Sequence, residues 1–258
     1  MIDGPPISAP AVFNGPMAQT RERTPSHHHT APELLGHGLR LSPWDPDSDA
    51  DAATWLRARA DPEFLRWNTP LVPVTDLDGA RASLRAVAER VADGESASFR
   101  VADAASGTTL GHIGVNAIDP VMSVARVGYW VLPEARGHRV AARALCLTSR
   151  WAFTDLGLHR LELGHALGHE ASCRVAERSG FSYEGTLRGA MFESGTLDAF
   201  RDVHLHARLT TDPEPGEAAT TPDPEPGEAA TTPDPGPGEA AMTPDPEPGE
   251  AATTPDRR

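Results

Sequence analysis

The sequence contains no lysine; all 23 of its basic residues are arginine. Its two cysteines, Cys146 and Cys173, form no CxxC pattern. A disulfide framework is thereby excluded, and a reducing, cytoplasmic setting is the expectation. Aromatic residues make up 5% and apolar residues 39% of the chain, the latter below the usual range of about 45–50%. No apolar run approaches the roughly 18 residues of a bilayer-spanning helix. The first stretch, MIDGPPISAPAVFNGPMAQTRERTP, lacks a basic start and a continuous apolar core, so it does not read as a signal peptide. A formal charge of −14 opposes a nucleic-acid partner, which asks for a basic patch.

What is abundant is proline and glycine, 25 and 23 residues, and they are unevenly placed. From Thr210 the chain repeats TTPDPEPGEAA with a period of eleven residues. This segment holds twelve carboxylates and two arginines, a net of −10 out of −14, so residues 1–209 carry only −4. Proline in every repeat blocks helix, and alanine alone cannot form a core. The repeat therefore predicts an extended, solvated tail over 210–258. Residues 1–35, rich in Pro, Ser and Thr, predict a disordered leader. Its run His27-His28-His29 reads as incidental composition and not as a metal site, since a flexible segment fixes no geometry. The globular unit is expected over 36–209.

Within it, hydrophobic spacing gives an α/β domain with a mixed sheet. A strand is expected at 38–42 and short helices at 52–59 and 62–67. A longer helix from Asp76 has Leu77, Ala80, Leu84, Val87, Ala88 and Val91 on one face. Strands follow at 97–103, 109–118 and 123–132, then a helix over 138–156. A strand around Leu161 and Leu163, a helix over 170–179 and strands at 181–188 and 198–209 complete the order.

Chemistry concentrates in Gly128-Tyr129-Trp130-Val131-Leu132-Pro133-Glu134-Ala135-Arg136-Gly137-His138-Arg139-Val140-Ala141. A strand runs through a short loop into a helix, and such a junction offers free N–H groups and a positive dipole end to a phosphate. Three further motifs follow in order: His169-Glu170-Ala171-Ser172, Glu177-Arg178-Ser179-Gly180-Phe181, and Tyr183-Glu184-Gly185. With the element order, they resemble the GNAT acyltransferase superfamily, in particular its ribosomal-protein N-acetyltransferase (RimJ/RimL-like) branch.

The resemblance implies a GNAT fold: a mostly antiparallel sheet flanked by helices and splayed around acetyl-CoA. It implies pantetheine pairing with the backbone at Val131 and Leu132. It places pyrophosphate on Arg136, Gly137, His138, Arg139, Val140 and Ala141, with His169 and Ser172 also contacting the cofactor. Arg139 replaces the family's second loop glycine, and His169 replaces an asparagine. Ala176 stands where many members carry a tyrosine acid, so the role of assisting the departing thiolate passes to Ser172. For the base, Met191 falls at the family's glutamate position and Glu193, two residues on, is the candidate. Trp67, Asn68 and Tyr129 are expected to contact the acceptor, while Trp151 lies at core spacing. Cys173 has no partner pattern and reads as a small buried residue. No metal is expected.

The implied activity is direct transfer of acetyl from acetyl-CoA to a primary amine, most readily a protein or peptide N-terminus. An α-amine with pKa near 7.7–8.0 is roughly a tenth neutral at pH 7, whereas a lysine is about 0.04% neutral. A small-molecule amine is the alternative acceptor. A non-catalytic acyl-CoA-binding or interaction module is the alternative class. Nothing in the pattern chooses between monomer and homodimer.

Overall fold

The computed structural model describes residues 31–68, 72–193 and 197–216. The histidine run and nearly all of the leader and acidic repeat lie outside these residues.

Eight strands form one sheet in the order β1-β2-β3-β4-β5-β6-β8-β7. They are β1 (Leu34–Gly36), β2 (Leu39–Ser42), β3 (Ala97–Asp103), β4 (Thr109–Asp119), β5 (Val124–Val131), β6 (Arg160–Ala166), β7 (Ser182–Phe192) and β8 (Phe200–Leu209). Five α-helices accompany them: α1 (Asp49–Arg59), α2 (Pro62–Trp67), α3 (Leu77–Ala92), α4 (Val140–Thr154) and α5 (Glu170–Arg178). The mixed α/β architecture read from the sequence is present, with two additions at its margins. The first strand expected at 38–42 is the second arm of a hairpin. His37 and Gly38 turn it with φ of 53° and 70°, the left-handed pair that a tight hairpin requires. The strand expected at 181–188 continues to Phe192.

Short polar residues start the first three helices. The Ser48 hydroxyl accepts from Asp51 N, Asp61 Oδ2 from Phe64 N, and Asp76 Oδ1 from Gly79 N, each satisfying an amide that has no partner within the helix. Helix α3 buries Ala80 and Leu84 but leaves Leu77 41% exposed, so its apolar face begins one turn later than its spacing suggests. The main core joins α4 to the sheet through Leu145, Trp151, Phe99, Ile113, Leu161 and Phe181. Trp151 is a core residue, its ring edge-on to Phe99 at 5.3 Å. A second core, built on Trp44, Ala52, Trp55, Ala80 and Leu84, joins α1 to α3 and reaches Trp130 of β5.

The feature that positions a site is the one parallel pairing. β5 and β6 pair only from Val124–Arg126 to Arg160–Glu162, then diverge. β6 remains paired with β8 along its whole length, and β5 runs on to Val131 alongside β4. A notch of about 80 Å³ opens at the divergence, lined by Val127–Tyr129 on one side and Leu163–His165 on the other.

The first residues of the acidic segment are not free of the domain. Thr210 N donates to His159 O (2.9 Å), and Leu209 N to Asp212 Oδ2 (2.9 Å). Arg208 is 1% exposed, lies over the Phe153 ring, and pairs with Glu214 at 3.1 Å. Contacts with the domain therefore continue past residue 209 to Glu214. Ending the chain at 209 strips a buried guanidinium of its carboxylate, which costs about 1–3 kcal/mol. A chain ending at 216 should match the full chain in thermal melting, and one ending at 209 should melt several degrees lower. Equal melting of the two truncated chains would show that the Arg208–Glu214 pair contributes nothing.

Candidate active site

After Leu132, which is buried, β5 passes through one 3-10 turn at Pro133–Ala135 into residues 136–139 and then α4. Gly137 has φ +85° and Arg139 φ +54°. These two left-handed residues turn the chain so that the first amides of α4, which lack intrahelical acceptors, face outward at the positive end of the helix dipole. A helix N-terminus of this kind can receive a phosphate. Arg139 thus keeps the backbone conformation of a glycine, and the helix expected from residue 138 begins at Val140. A non-glycine residue in this region is strained by about 1–2 kcal/mol. Arg139→Gly should relieve the strain and raise stability by up to about 1 kcal/mol, glycine's greater unfolded-state freedom offsetting the rest. Thermal melting that falls by several degrees would show instead that the Arg139 side chain stabilises the loop.

Arg136 does not project as a free charge. Its Nε donates to Val131 O (3.2 Å) and its guanidinium pairs with Asp61, the residue that caps α2. It fastens the loop to α2. His138 is exposed, and its carbonyl accepts from Arg143 Nη2 at 3.3 Å; it does not line the adjoining cleft. The cleft, about 280 Å³, is lined by the other residues expected at the cofactor: Val131, Leu132, Arg136, Gly137, Arg139, Val140, Ala141, His169 and Ser172.

At the inner end of this cleft the Tyr129 hydroxyl and Ser172 Oγ lie 2.7 Å apart. Ser172 is 5% exposed, in the first turn of α5. Burial pushes the Tyr129 phenol well above its ordinary value, despite the opposing hydrogen bond from Ser172. The phenol therefore keeps its proton at neutral pH. Two hydroxyls share two protons, one of which joins them, leaving the second to be donated into the cleft. Tyr129, expected to contact the acceptor, lines both this cleft and a larger cavity beside it and is joined by the fold to Ser172.

His169 caps no amide with its side chain. Its ring stacks on Trp67, centroids 4.5 Å apart and planes within 2°. Burial, with nearby His165, lowers its pKa to about 4, so the stack is neutral at physiological pH. Trp67 Nε1 donates to Glu63 Oε2 (2.8 Å) and Asn68 Nδ2 to Phe64 O (3.1 Å), which fixes both side chains against α2. Glu193 follows the last residue of β7 and is exposed. It does not line the cavities described here, whereas Met191 does. Two residues along a strand share a face only while the strand lasts, and β7 ends at Phe192.

A second cavity of about 560 Å³ adjoins the cleft and shares Phe64, Asn68, Tyr129 and Trp130 with it. Its lining includes Arg59 and Arg90 and, among the described residues, no carboxylate. Arg59 lies over the Trp55 and Phe64 rings at 4.5 and 4.8 Å. Burial and the neighbouring Arg90 bring its pKa down to about 10, still cationic at neutral pH. His112 is no base here. Its Nδ1 accepts from Trp44 Nε1 at 3.1 Å, and burial holds its pKa near 3.

Along the chain Cys173 has no partner, but in the fold three imidazoles converge on it. Its Sγ lies 3.3 Å from His165 Nε2, 3.4 Å from His204 Nδ1 and 3.6 Å from His206 Nε2. No metal is expected from the sequence, yet the fold brings these four potential ligands within 4.8 Å of one another. The one legible signal was His204-x-His206, two imidazoles on one face of a strand.

A family model described as the acetyltransferase (GNAT) domain matches residues 39–182. The chain belongs to the GNAT family. It is 34% identical over 89 residues to the putative ribosomal N-acetyltransferase YdaF of Bacillus subtilis, covering 34% of this chain and 49% of that protein. It is 32% identical over 100 residues to the ribosomal-protein-serine acetyltransferase of Escherichia coli, covering 39% and 54%. The chain thus spans about half the length of these curated relatives. Among solved structures, RimJ of Mycobacterium smegmatis in complex with CoA-disulfide superposes with a TM-score of 0.57 at 26% identity, covering 70% of this chain and 86% of that one. As a GNAT domain, the chain places its splayed strands, loop and helix N-terminus around the cleft just described.

Proposed function

We propose that this GNAT domain transfers the acetyl group of acetyl-CoA to the α-amine of a protein or peptide, as a member of the ribosomal-protein N-acetyltransferase branch. The observation that carries the reading is the Tyr129–Ser172 hydroxyl pair. Tyr129 lines both the cleft beside the α4 N-terminus and the larger cavity. Acetyl-CoA would occupy the cleft, its phosphates at residues 137–141 and its thioester beside the pair, with the acceptor amine entering from the larger cavity. The amine nitrogen forms the C–N bond and the C–S bond breaks with its electron pair on sulfur. The hydroxyl pair donates to that sulfur, and the amine's surplus proton leaves through solvent.

The larger cavity fits an α-amine better than a lysine. Arg59 and Arg90 disfavour an ammonium beside them and lower its pKa. A group that starts near 7.7–8.0 is then largely neutral without a carboxylate base, which a group starting near 10.4 is not. The names of the ribosomal relatives support the branch.

The test is CoA release from acetyl-CoA with three acceptor sets: peptides with a free N-terminus, α-blocked peptides containing lysine, and small amines. Free N-termini should be the best acceptors. Turnover confined to small amines would transfer the reading to a metabolite. Tight acetyl-CoA binding without turnover on any acceptor would leave a cofactor-binding module.

A further inference from the structure

Four side chains that acetyl transfer does not use meet next to Ser172. His165 and His204 are register partners across β6 and β8. His206 follows two residues later on the same face of β8, and Cys173, in the first turn of α5, closes over them. Their ligand atoms all lie within 4.8 Å of one another. A tetrahedral zinc ion with bonds of about 2.3 Å to sulfur and about 2.0–2.1 Å to nitrogen holds the sulfur roughly 3.5 Å from each nitrogen. The three Sγ···N separations here are 3.3, 3.4 and 3.6 Å.

Hydrogen bonding alone accounts poorly for this convergence. A thiol has one proton to donate. His165 Nδ1 lies 3.1 Å from the Ala166 carbonyl, which can only accept, so Nδ1 carries the ring proton and Nε2 aims a lone pair at the sulfur. A hydrogen bond on the far ring nitrogen orients a ligating imidazole. His165 and His206 are 5% and 0% exposed, so both rings are held away from solvent around the sulfur.

We propose that His165, Cys173, His204 and His206 bind one Zn²⁺ in a closed, four-coordinate structural site. One thiolate and three imidazoles, with no carboxylate, suit this borderline-soft ion and not Mg²⁺ or Ca²⁺. Four protein ligands leave no open position, so the ion fastens instead of reacting. It ties the first turn of α5, and with it Ser172, to β6 and β8. The proposal does not depend on the acceptor or on acetyl transfer.

The full chain, stripped with a chelator, is titrated with Co²⁺. A thiolate-to-cobalt charge-transfer band with intense tetrahedral d–d absorption should develop and saturate at one ion per chain. Zn²⁺ should then displace it. The same stoichiometry is expected after His27→Ala, His28→Ala and His29→Ala together, which removes the other histidine cluster. Cys173→Ser should abolish the band and weaken Zn²⁺ binding more than about tenfold. Zn²⁺ should raise the melting temperature of the parent and not of this variant. Octahedral cobalt absorption without a thiolate band in the parent overturns the proposal without recourse to any variant. Binding that vanishes with the His27–His29 substitutions overturns it equally.

Discussion

Ser172→Ala is expected to lower turnover about ten- to a hundredfold while leaving acetyl-CoA affinity nearly unchanged. A hydrogen bond to developing charge contributes roughly 1.5–3 kcal/mol, and each 1.4 kcal/mol is tenfold in rate. The thioester sulfur is close to neutral in the ground state and anionic as the C–S bond breaks. A donor aimed at it therefore acts on the transition state and little on binding. The contact of 2.7 Å with Tyr129 adds a second measurable consequence. Removing the Ser172 oxygen leaves the half-buried phenol without its partner, so Tyr129→Phe and Ser172→Ala should be non-additive, the double variant losing little beyond the worse single one. Single-turnover measurements at saturating acetyl-CoA isolate the chemical step. Full turnover by Ser172→Ala in that assay would reduce Ser172 to a helix-turn serine, and fully additive losses would show that the two hydroxyls act separately.

The helices and most strands were legible because their apolar residues repeat with the period of the element that buries them, and because Asp76 marks a helix start that its hydrogen bond to Gly79 N bears out. The loop that borders the cleft was legible for a related reason. A strand, a glycine loop and a helix N-terminus are contiguous in sequence, so their joint geometry is local. What was not legible is made by pairing across the sheet. Tyr129 and Ser172 are 43 residues apart, and Cys173 and His206 are 33 apart. They meet because β5 and β6 part after three paired residues and α5 fills the space beside them. Glu193 lies outside the described cavities for the same reason in reverse. Counting along a strand assumes the strand continues, and β7 stops one residue earlier. Arg208 and Glu214 show the limit of composition as a guide. An acidic, proline-rich segment contributes no apolar core, yet its first carboxylates satisfy the end of the domain.

Gly137→Val is expected to weaken acetyl-CoA binding by tenfold or more while turnover at saturating cofactor changes little, the reverse of Ser172→Ala. Gly137 holds φ +85°, where a β-branched side chain is strained. The loop must therefore shift, and with it the amides that would meet the phosphates. Its chain neighbours aside, a Cβ at this position meets no atom of the described residues within 4 Å. Any cost beyond backbone strain must then come from what binds in that space. Gly137→Asn separates the two contributions, because asparagine tolerates the left-handed conformation yet places atoms over the loop. If phosphate occupies the space, Gly137→Asn keeps the parent's melting temperature but loses affinity almost as Gly137→Val does. If the glycine serves only to turn the chain, Gly137→Asn binds acetyl-CoA like the parent, and the phosphate lies elsewhere. Titration of each variant with acetyl-CoA and with CoA, followed calorimetrically, distinguishes these results. Equal losses for both ligands are required, since the acetyl group is remote from the loop and only the shared phosphates would feel the substitution.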